Sequence, residues 1–444
     1  MVSDVTALER LKSDPMGFGQ WVIVAICIGT LALDGYDVLS IAFAAPGITQ
    51  EWGLSKSVLG IVLSIELAGM AGGAVLFGSF ADNNGRRFTM LSGITIVTLG
   101  MFVAGLAPNI YVLGAARLFT GLGIGGIMAT ATATCSEFCN NKNRVMSVSL
   151  VAGGFPLGIY IGATFLAPLL KQYDWRIAFY LGTFLSFLFI PLVYFYVPET
   201  VSFLNRKRPT DALEQIQKIM RRLGHTPPES LPSVAEQEAE VVGMKSLFSP
   251  NLRYITLLLC FAYFGNVMTY YYFVKWLPTA VTDLGYTVSQ ATEILGVVSL
   301  GGILGSIGIS LCARFIPIRS LMLASLMLTA VGVALFPHFT DSMVNMKLMG
   351  FFAGTFVMAA ISGFFGLFAS SFPSSVLGSG SGIVLGVGRG GAVIGPMIPG
   401  FLFAAGLAFE NVAIIMASGS FLAGVAVIFL HKKANYAKKG HYAT

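Results

Sequence analysis

Charge is what this chain has least of. Of its 444 residues, 11% are charged and 55% are hydrophobic, and the mean hydropathy is +0.78. A soluble domain carries about a quarter charged residues, so this composition excludes an ordinary water-facing surface. Histidine is also scarce. His225 and His431 are placed on the cytoplasmic side, His441 in the tail and His338 beside an outer loop. With no histidine at mid-depth in an apolar stretch, any proton relay there must use carboxylates. The five cysteines form no disulfide framework. Cys135 and Cys139 make a CxxxC without a nearby histidine, a pattern that reads as packing rather than a metal site. No HExxH, paired His-Asp motif or nucleotide loop is present, so an enzyme such as a membrane transferase is not expected. No metal or cofactor is expected either, and a sensor would require a signalling domain that the sequence lacks.

What fills the chain instead is a series of apolar stretches, each long enough to cross roughly 30 Å of hydrocarbon. There are twelve, at about 20–45, 56–80, 88–107, 110–137, 144–170, 176–196, 253–279, 289–313, 319–337, 346–369, 377–404 and 411–430. Lipid offers no partner to a backbone N–H or C=O, so glycine-rich spans of this length are expected to be helices. The fold class is an all-α membrane protein. The first span has no small-residue cleavage site and is expected to be retained.

Lys and Arg set the expected orientation. With the N-terminus inside, the cytoplasmic segments hold 20 of the 27, the outer loops four (Lys56, Lys171, Arg176, Lys347) and the spans three (Arg117, Lys275, Arg389). Both termini are thus expected in the cytoplasm. The net charge of +6 follows from this topology and is no sign of nucleic-acid binding.

A polar stretch at 197–252 divides the spans into an N-terminal half (1–196) and a C-terminal half (253–444). It contains a helical pattern with Thr210 as N-cap and Gly224 as stop, read as a solvated cytoplasmic connector. The halves look alike. "ADNNGRRFTML" follows the second span and "ARFIPIRSLML" the eighth, while "GGFPLGIYIG" in the fifth has a counterpart in "GVGRGGAVIG" in the eleventh. Parallel six-helix repeats with a midplane site between them are one transporter plan.

These stretches carry a family resemblance. "GSFADNNGRR" (78–87) resembles the loop signature of the major facilitator superfamily, and "RLFTGLGIGG" (117–126) resembles its fourth-helix arginine motif. Within that superfamily the chain is similar to the aromatic acid:proton symporters through "DGYD", "SEF", "KWLP" and "GVGRGGAVIGP". The resemblance spans essentially the whole membrane portion. It implies a monomeric transporter in a bacterial inner membrane that imports a benzoate or hydroxybenzoate with a proton by alternating access. A non-aromatic organic anion, or export, is the alternative. Two departures concern the cytoplasmic gate: Ala313-Arg314 stands where the first half has Ala81-Asp82, and "PSSVLGSG" lacks an arginine. The fifth helix lacks the antiporter-type Gly-Pro-x-x-Gly-Gly pattern, which favours symport.

Ionisable residues within spans cost a few kcal/mol each by insertion scales and mark functional sites. Asp34 lies roughly 21 Å from the inner start of its helix and Arg117 roughly 10 Å below the outer start of its own, so they fall at similar heights. Burial favours a neutral carboxyl and a nearby cation favours the ionised one. Asp34 and Asp37 are therefore the expected proton carriers, with Arg117 as a partner that can change between states; a structural pair held by neighbouring polar groups is the competing reading. Gly35 between them permits close approach of another helix or of substrate. Tyr36 either lines the cavity or packs. Glu66 is either a secondary proton site or the structural partner of Arg117.

Arg389, roughly 18 Å from the inner start of its helix and flanked by glycines, offers a forked donor set matching a carboxylate. A permanent salt bridge to Asp34 or Glu66 is the competing reading. Lys275, beside Trp276 near a helix end, is expected to snorkel, and Glu293 to be interfacial. Tyr263 and Tyr270, seven residues apart, are the aromatic candidates for an aromatic ring bearing polar groups. Ser299 and Ser362 are possible hydroxyl partners. Asp82 and Glu137 are expected to form a charge relay with Arg86, Arg87 and Arg144 that latches the cytoplasmic gate.

Overall fold

The computed structural model describes residues 6–231, 247–249, 252–373 and 376–440, without the side chains of Ser79 and 431–440. Parts of the expected connector (232–246, 250–251), Ser374 and Ser375 of "PSSVLGSG", and His441 lie outside the described residues, as does the side chain of His431.

The described chain is helical throughout. Short helix α1 (Ala7–Ser13) precedes six long ones: α2 (Phe18–Trp52), α3 (Lys56–Asn84), α4 (Arg86–Gly105), α5 (Ile110–Phe138), α6 (Arg144–Leu169) and α7 (Ile177–Tyr196). Two short connector helices follow, α8 (Val201–Lys207) and α9 (Ala212–Leu223). The remaining long helices are α10 (Arg253–Asp283), α11 (Val288–Cys312), α12 (Ile318–Leu335), α13 (Met343–Ser371), α14 (Leu377–Ala404) and α15 (Phe409–Gly440). The twelve long helices are each apolar enough to cross a membrane.

Helix ends depart from the hydropathy spans where polar residues extend a helix beyond the apolar core. α2 runs through Pro46 to Trp52, and α10 runs through Pro278 to Asp283. A transmembrane helix tolerates the backbone bond lost at proline when neighbours re-satisfy the freed group. In the connector, α9 begins after Asp211, so the N-cap is one residue later than Thr210, and Gly224 (φ 84°) ends it. α9 is no freely solvated rod. It buries Ile216, Ile219, Met220 and Leu223, and His225 meets Asp14 at 3.3 Å and Gln20 at 3.0 Å.

Glycines set the closest helix contacts. A Cβ at Gly35 would overlap the Phe155 carbonyl of α6, and one at Gly158 the Ala32 carbonyl of α2. The same relation recurs between α14 and α10, where Gly391 and Gly395 face the Phe264 and Met268 carbonyls. Thus "GGFPLG" and "GRGGAVIG" perform the same packing task in the two halves. Gly35 admits a helix.

The chain forms two compact units. One holds the chain up to Val38, Gly69–Gly158 and the chain from Phe179 into the connector; the other holds Leu39–Ala68, Ile159–Ala178 and the helices from α10 onward. Helices α2 and α3 therefore each contribute to both units. In the second unit, Gly60 of α3 lies against Gly400 of α14, Ser289 donates to the Ala167 carbonyl at 2.7 Å, and Lys56 pairs with Asp283.

Candidate functional site

In the first unit the buried ion pair is Arg117–Asp37. The guanidinium donates from Nη1 to Asp37 Oδ1 and from Nη2 to the Asp37 backbone carbonyl, both at 2.8 Å. Nη1 also meets Met101 Sδ at 3.0 Å, and the Phe179 ring lies 5.5 Å from the guanidinium carbon. Arg117 and Asp37 are 0% and 2% exposed. Depth set Arg117 level with Asp34, and the guanidinium also reaches Asp37, one turn further along α2, through its long stem. Asp34 is buried as well. It lines a small cavity of about 10 Å³ with Thr30 and Ser186, close to the minimum that admits one water. Tyr36 is buried, with its ring edge near Gly182.

The second unit contains a second buried pair that sequence reasoning missed. Lys275 Nζ lies 3.2 Å from Glu66 Oε2, and both side chains are 0% exposed. Lys275 therefore does not snorkel; its ammonium is held by Glu66. The error lay in the helix end. α10 continues four residues past the expected 279, which puts Lys275 about 12 Å deep, and Glu66 lies about 15 Å along α3 from Lys56. Depth arithmetic on the true ends would have matched them.

Also in this unit, Arg389 is half-buried on α14, and the Tyr263 ring packs directly against Gly388. Tyr263 in turn stands edge-on to Phe364 and Phe368, with centroids 5.0 and 5.9 Å away. The glycine beside the arginine thus makes room for a tyrosine face. Tyr270 is buried edge-on to Tyr271 at 4.9 Å. The hydroxyls of the two serines are already engaged: Ser299 donates to the Leu295 carbonyl of its own helix, and Ser362 of α13 bonds to Ser306 Oγ of α11 at 2.9 Å.

The "ADNNGRR" cluster is only partly the relay expected. Arg86 meets Glu137 at 3.4 Å and Asp82 at 3.9 Å. Arg87 instead donates to the Tyr194 carbonyl and lies over the Tyr194 ring. Arg144 donates to Ser136 Oγ at 2.8 Å, and Arg206 also approaches Asp82, at 3.5 Å. The missed residue here is Glu199. Its carboxylate accepts from the backbone N–H groups of Arg86 at 2.8 Å and Arg87 at 3.2 Å, capping α4. Gly85 (φ 96°) leaves room for it. Burial raises the Glu199 carboxyl above its ordinary range, against the opposing backbone bonds from Thr200, Arg86 and Arg87. The only sequence signal was an acid directly after a span.

Comparison with known proteins fits this architecture. The chain is 30% identical to the 4-hydroxybenzoate transporter PcaK of Pseudomonas putida, over 94% of each chain. It is 28% identical to the gallate transporter of Pseudomonas putida, over 95% of this chain and 94% of that one. The inward-open structure of the xylose transporter XylE from E. coli shares the fold, with a TM-score of 0.72 at 16% identity, covering 93% of this chain and 96% of that one. The profile of the Major Facilitator Superfamily matches residues 25–346. The twelve apolar helices, the repeated glycine contacts and this match make the chain a multi-pass membrane transporter, not an enzyme, and it belongs to the Major Facilitator Superfamily.

Proposed function

We propose that this transporter moves an aromatic monocarboxylate of the benzoate or hydroxybenzoate type inward together with a proton, by alternating access, with both termini in the cytoplasm. The observation that carries the reading is Arg389 beside a tyrosine face seated on Gly388. A guanidinium presents two parallel N–H groups to one carboxylate, and a tyrosine offers a flat apolar face with a polar tip. Near full-length similarity to transporters named for gallate and 4-hydroxybenzoate supports the same substrate class.

The Arg117–Asp37 pair supports the proton half of the reading. Separating two buried charges without compensation costs about 3–5 kcal/mol. A proton delivered to Asp37 removes one charge of the pair, so rearrangement around Arg117 becomes accessible once the proton is bound. Asp34, one turn away with Thr30 and Ser186 around a water-sized space, is the neighbouring carrier.

Arg389→Lys tests the substrate role. The ammonium keeps the charge but loses the fork, so affinity for 4-hydroxybenzoate falls roughly ten- to a hundredfold, equivalent to about 1.5–3 kcal/mol. The neutral amide analogue loses far less. Calorimetry on the purified protein reads both. Equal losses for the acid and the amide would mean that Arg389 holds helices and not substrate.

A further inference from the structure

Under the topology proposed above, the segments Leu39–Ala68 and Ile159–Ala178 are the outer portions of α2, α3, α6 and α7. They pack in one compact unit with the helices from α10 onward, so early and late helices are joined along the outer side. The seam runs along α3. At its rim Lys56 pairs with Asp283. One turn further in, Gly60 lies against Gly400 and the Pro396 carbonyl. About 15 Å along α3 from Lys56, Glu66 meets Lys275 at 3.2 Å, with both side chains 0% exposed. On the same side, Ser289 at the start of α11 bonds to the Ala167 carbonyl of α6.

Alternating access requires this seam to part. Lys56 and Asp283 reach solvent even when paired, and an exposed pair contributes little. The glycine contact carries no charge. Glu66 and Lys275 differ, because they are dry when the seam is closed and meet water when it parts. Burying one charge without its partner is strongly unfavourable, whereas burying the ion pair or two neutral groups is not. A proton on Glu66 therefore opposes closure, and its loss permits closure. Acidification favours the open outer side, and a rise in pH favours the closed one in this structure. Of the other charged and titratable groups on the elements packed here, Asp283 of α10 is bonded to Lys56 of α3, Arg389 stands on α14, and α10 also carries Tyr270 and Tyr271.

We propose that Glu66 and Lys275 form a proton-sensitive lock on the outer gate, which closes only over the ionised pair. The lock is separate from Arg117 and Asp37, which both belong to the first unit. It couples closure of the outer side to departure of a proton from Glu66. This inference rests on the alternating-access part of the reading above.

The test is maleimide labelling of a Thr279→Cys variant of the full-length protein in nanodiscs. Thr279 is 2% exposed and lies one turn beyond Lys275 on the same face of α10, so a thiol there reacts once the seam parts. Its rate is read by peptide mass spectrometry relative to the exposed native Cys312, which cancels the pH dependence of thiol reactivity. Lowering the pH from neutral to mildly acid is expected to raise the relative rate several-fold. Adding Glu66→Gln raises the rate at neutral pH and abolishes the pH response. Adding Lys275→Met to that variant restores the low rate, still without a pH response. The buried Cys260, nearer the other end of α10, stays unlabelled throughout, which separates gate opening from unfolding. A pH response that survives without both charges would overturn the lock, as would a Glu66→Gln rate no higher than that of the native pair. A native pair without any pH response would overturn it too, leaving two charges that serve packing alone. A Thr279→Cys thiol that is unreactive in every variant at every pH would overturn alternating access with it. Calorimetric binding of 4-hydroxybenzoate reports the substrate reading independently.

Discussion

Lys275 lies eight residues before the end of α10, about 12 Å down the helix and too far for a lysine stem to bring its ammonium to the surface. Its charge is met instead by Glu66. A buried pair of this kind adds little net stability over an apolar pair of similar volume, whereas removing one member is strongly unfavourable. Glu66→Gln is therefore expected to destabilise the protein by about 3–5 kcal/mol. Adding Lys275→Met should recover most of that loss. Thermal unfolding of the detergent-solubilised variants measures both, and a double variant no better than the single would contradict the pairing. The sequence displayed both residues as mid-span charges. It did not display their partnership, because that depends on where two helices end and which faces meet.

At the scale of the element, the helices themselves were legible, since runs of about 20 apolar residues leave the backbone no alternative in lipid. Their closest contacts were partly legible too, in the glycines of "GGFPLG" and "GRGGAVIG" that seat carbonyls of a neighbouring helix. The cap of α4 was not. Its N-terminal N–H groups are satisfied by Glu199, more than a hundred residues away in sequence, and no local pattern reports such a cap. Removing a capping acceptor costs about 0.5–2 kcal/mol. Glu199→Gln keeps one oxygen but turns an N–H donor toward the helix end. Amide exchange at Arg86 and Arg87 should accelerate by about 2- to 30-fold, while the middle of α4 is unchanged. Hydrogen-exchange mass spectrometry resolves the two regions, and uniform acceleration along α4 would point to global destabilisation instead.

For the molecule as a whole, the internal repeat describes how the chain is written, and the compact units describe how it packs; α2 and α3 pass from one unit to the other at Val38–Leu39 and Ala68–Gly69. Each changeover adjoins a buried carboxylate in an ion pair, Asp37 at the first and Glu66 at the second. Proton coupling is a property at this scale. In liposomes of purified protein, an inward proton gradient should drive accumulation of 4-hydroxybenzoate. The Asp37→Asn variant should lose accumulation, since an amide keeps the shape but carries no titratable proton, and should retain exchange of labelled for unlabelled substrate. Full accumulation by that variant would remove Asp37 from the coupling role.

The sequence by itself determined the solvent, the helices and the family. Low charge, twelve apolar spans and motifs such as "GSFADNNGRR" act locally or through composition, and they survive being read one residue at a time. Only the tertiary structure decided the partners: Arg117 on both the carboxylate and the carbonyl of Asp37, Lys275 with Glu66, Arg144 with Ser136, Glu199 on the end of α4. The physical reason is that a buried charge is stabilised by whichever group the packed helices bring within about 3 Å. A helix four residues longer than its apolar core, as α10 is, is enough to change which groups meet.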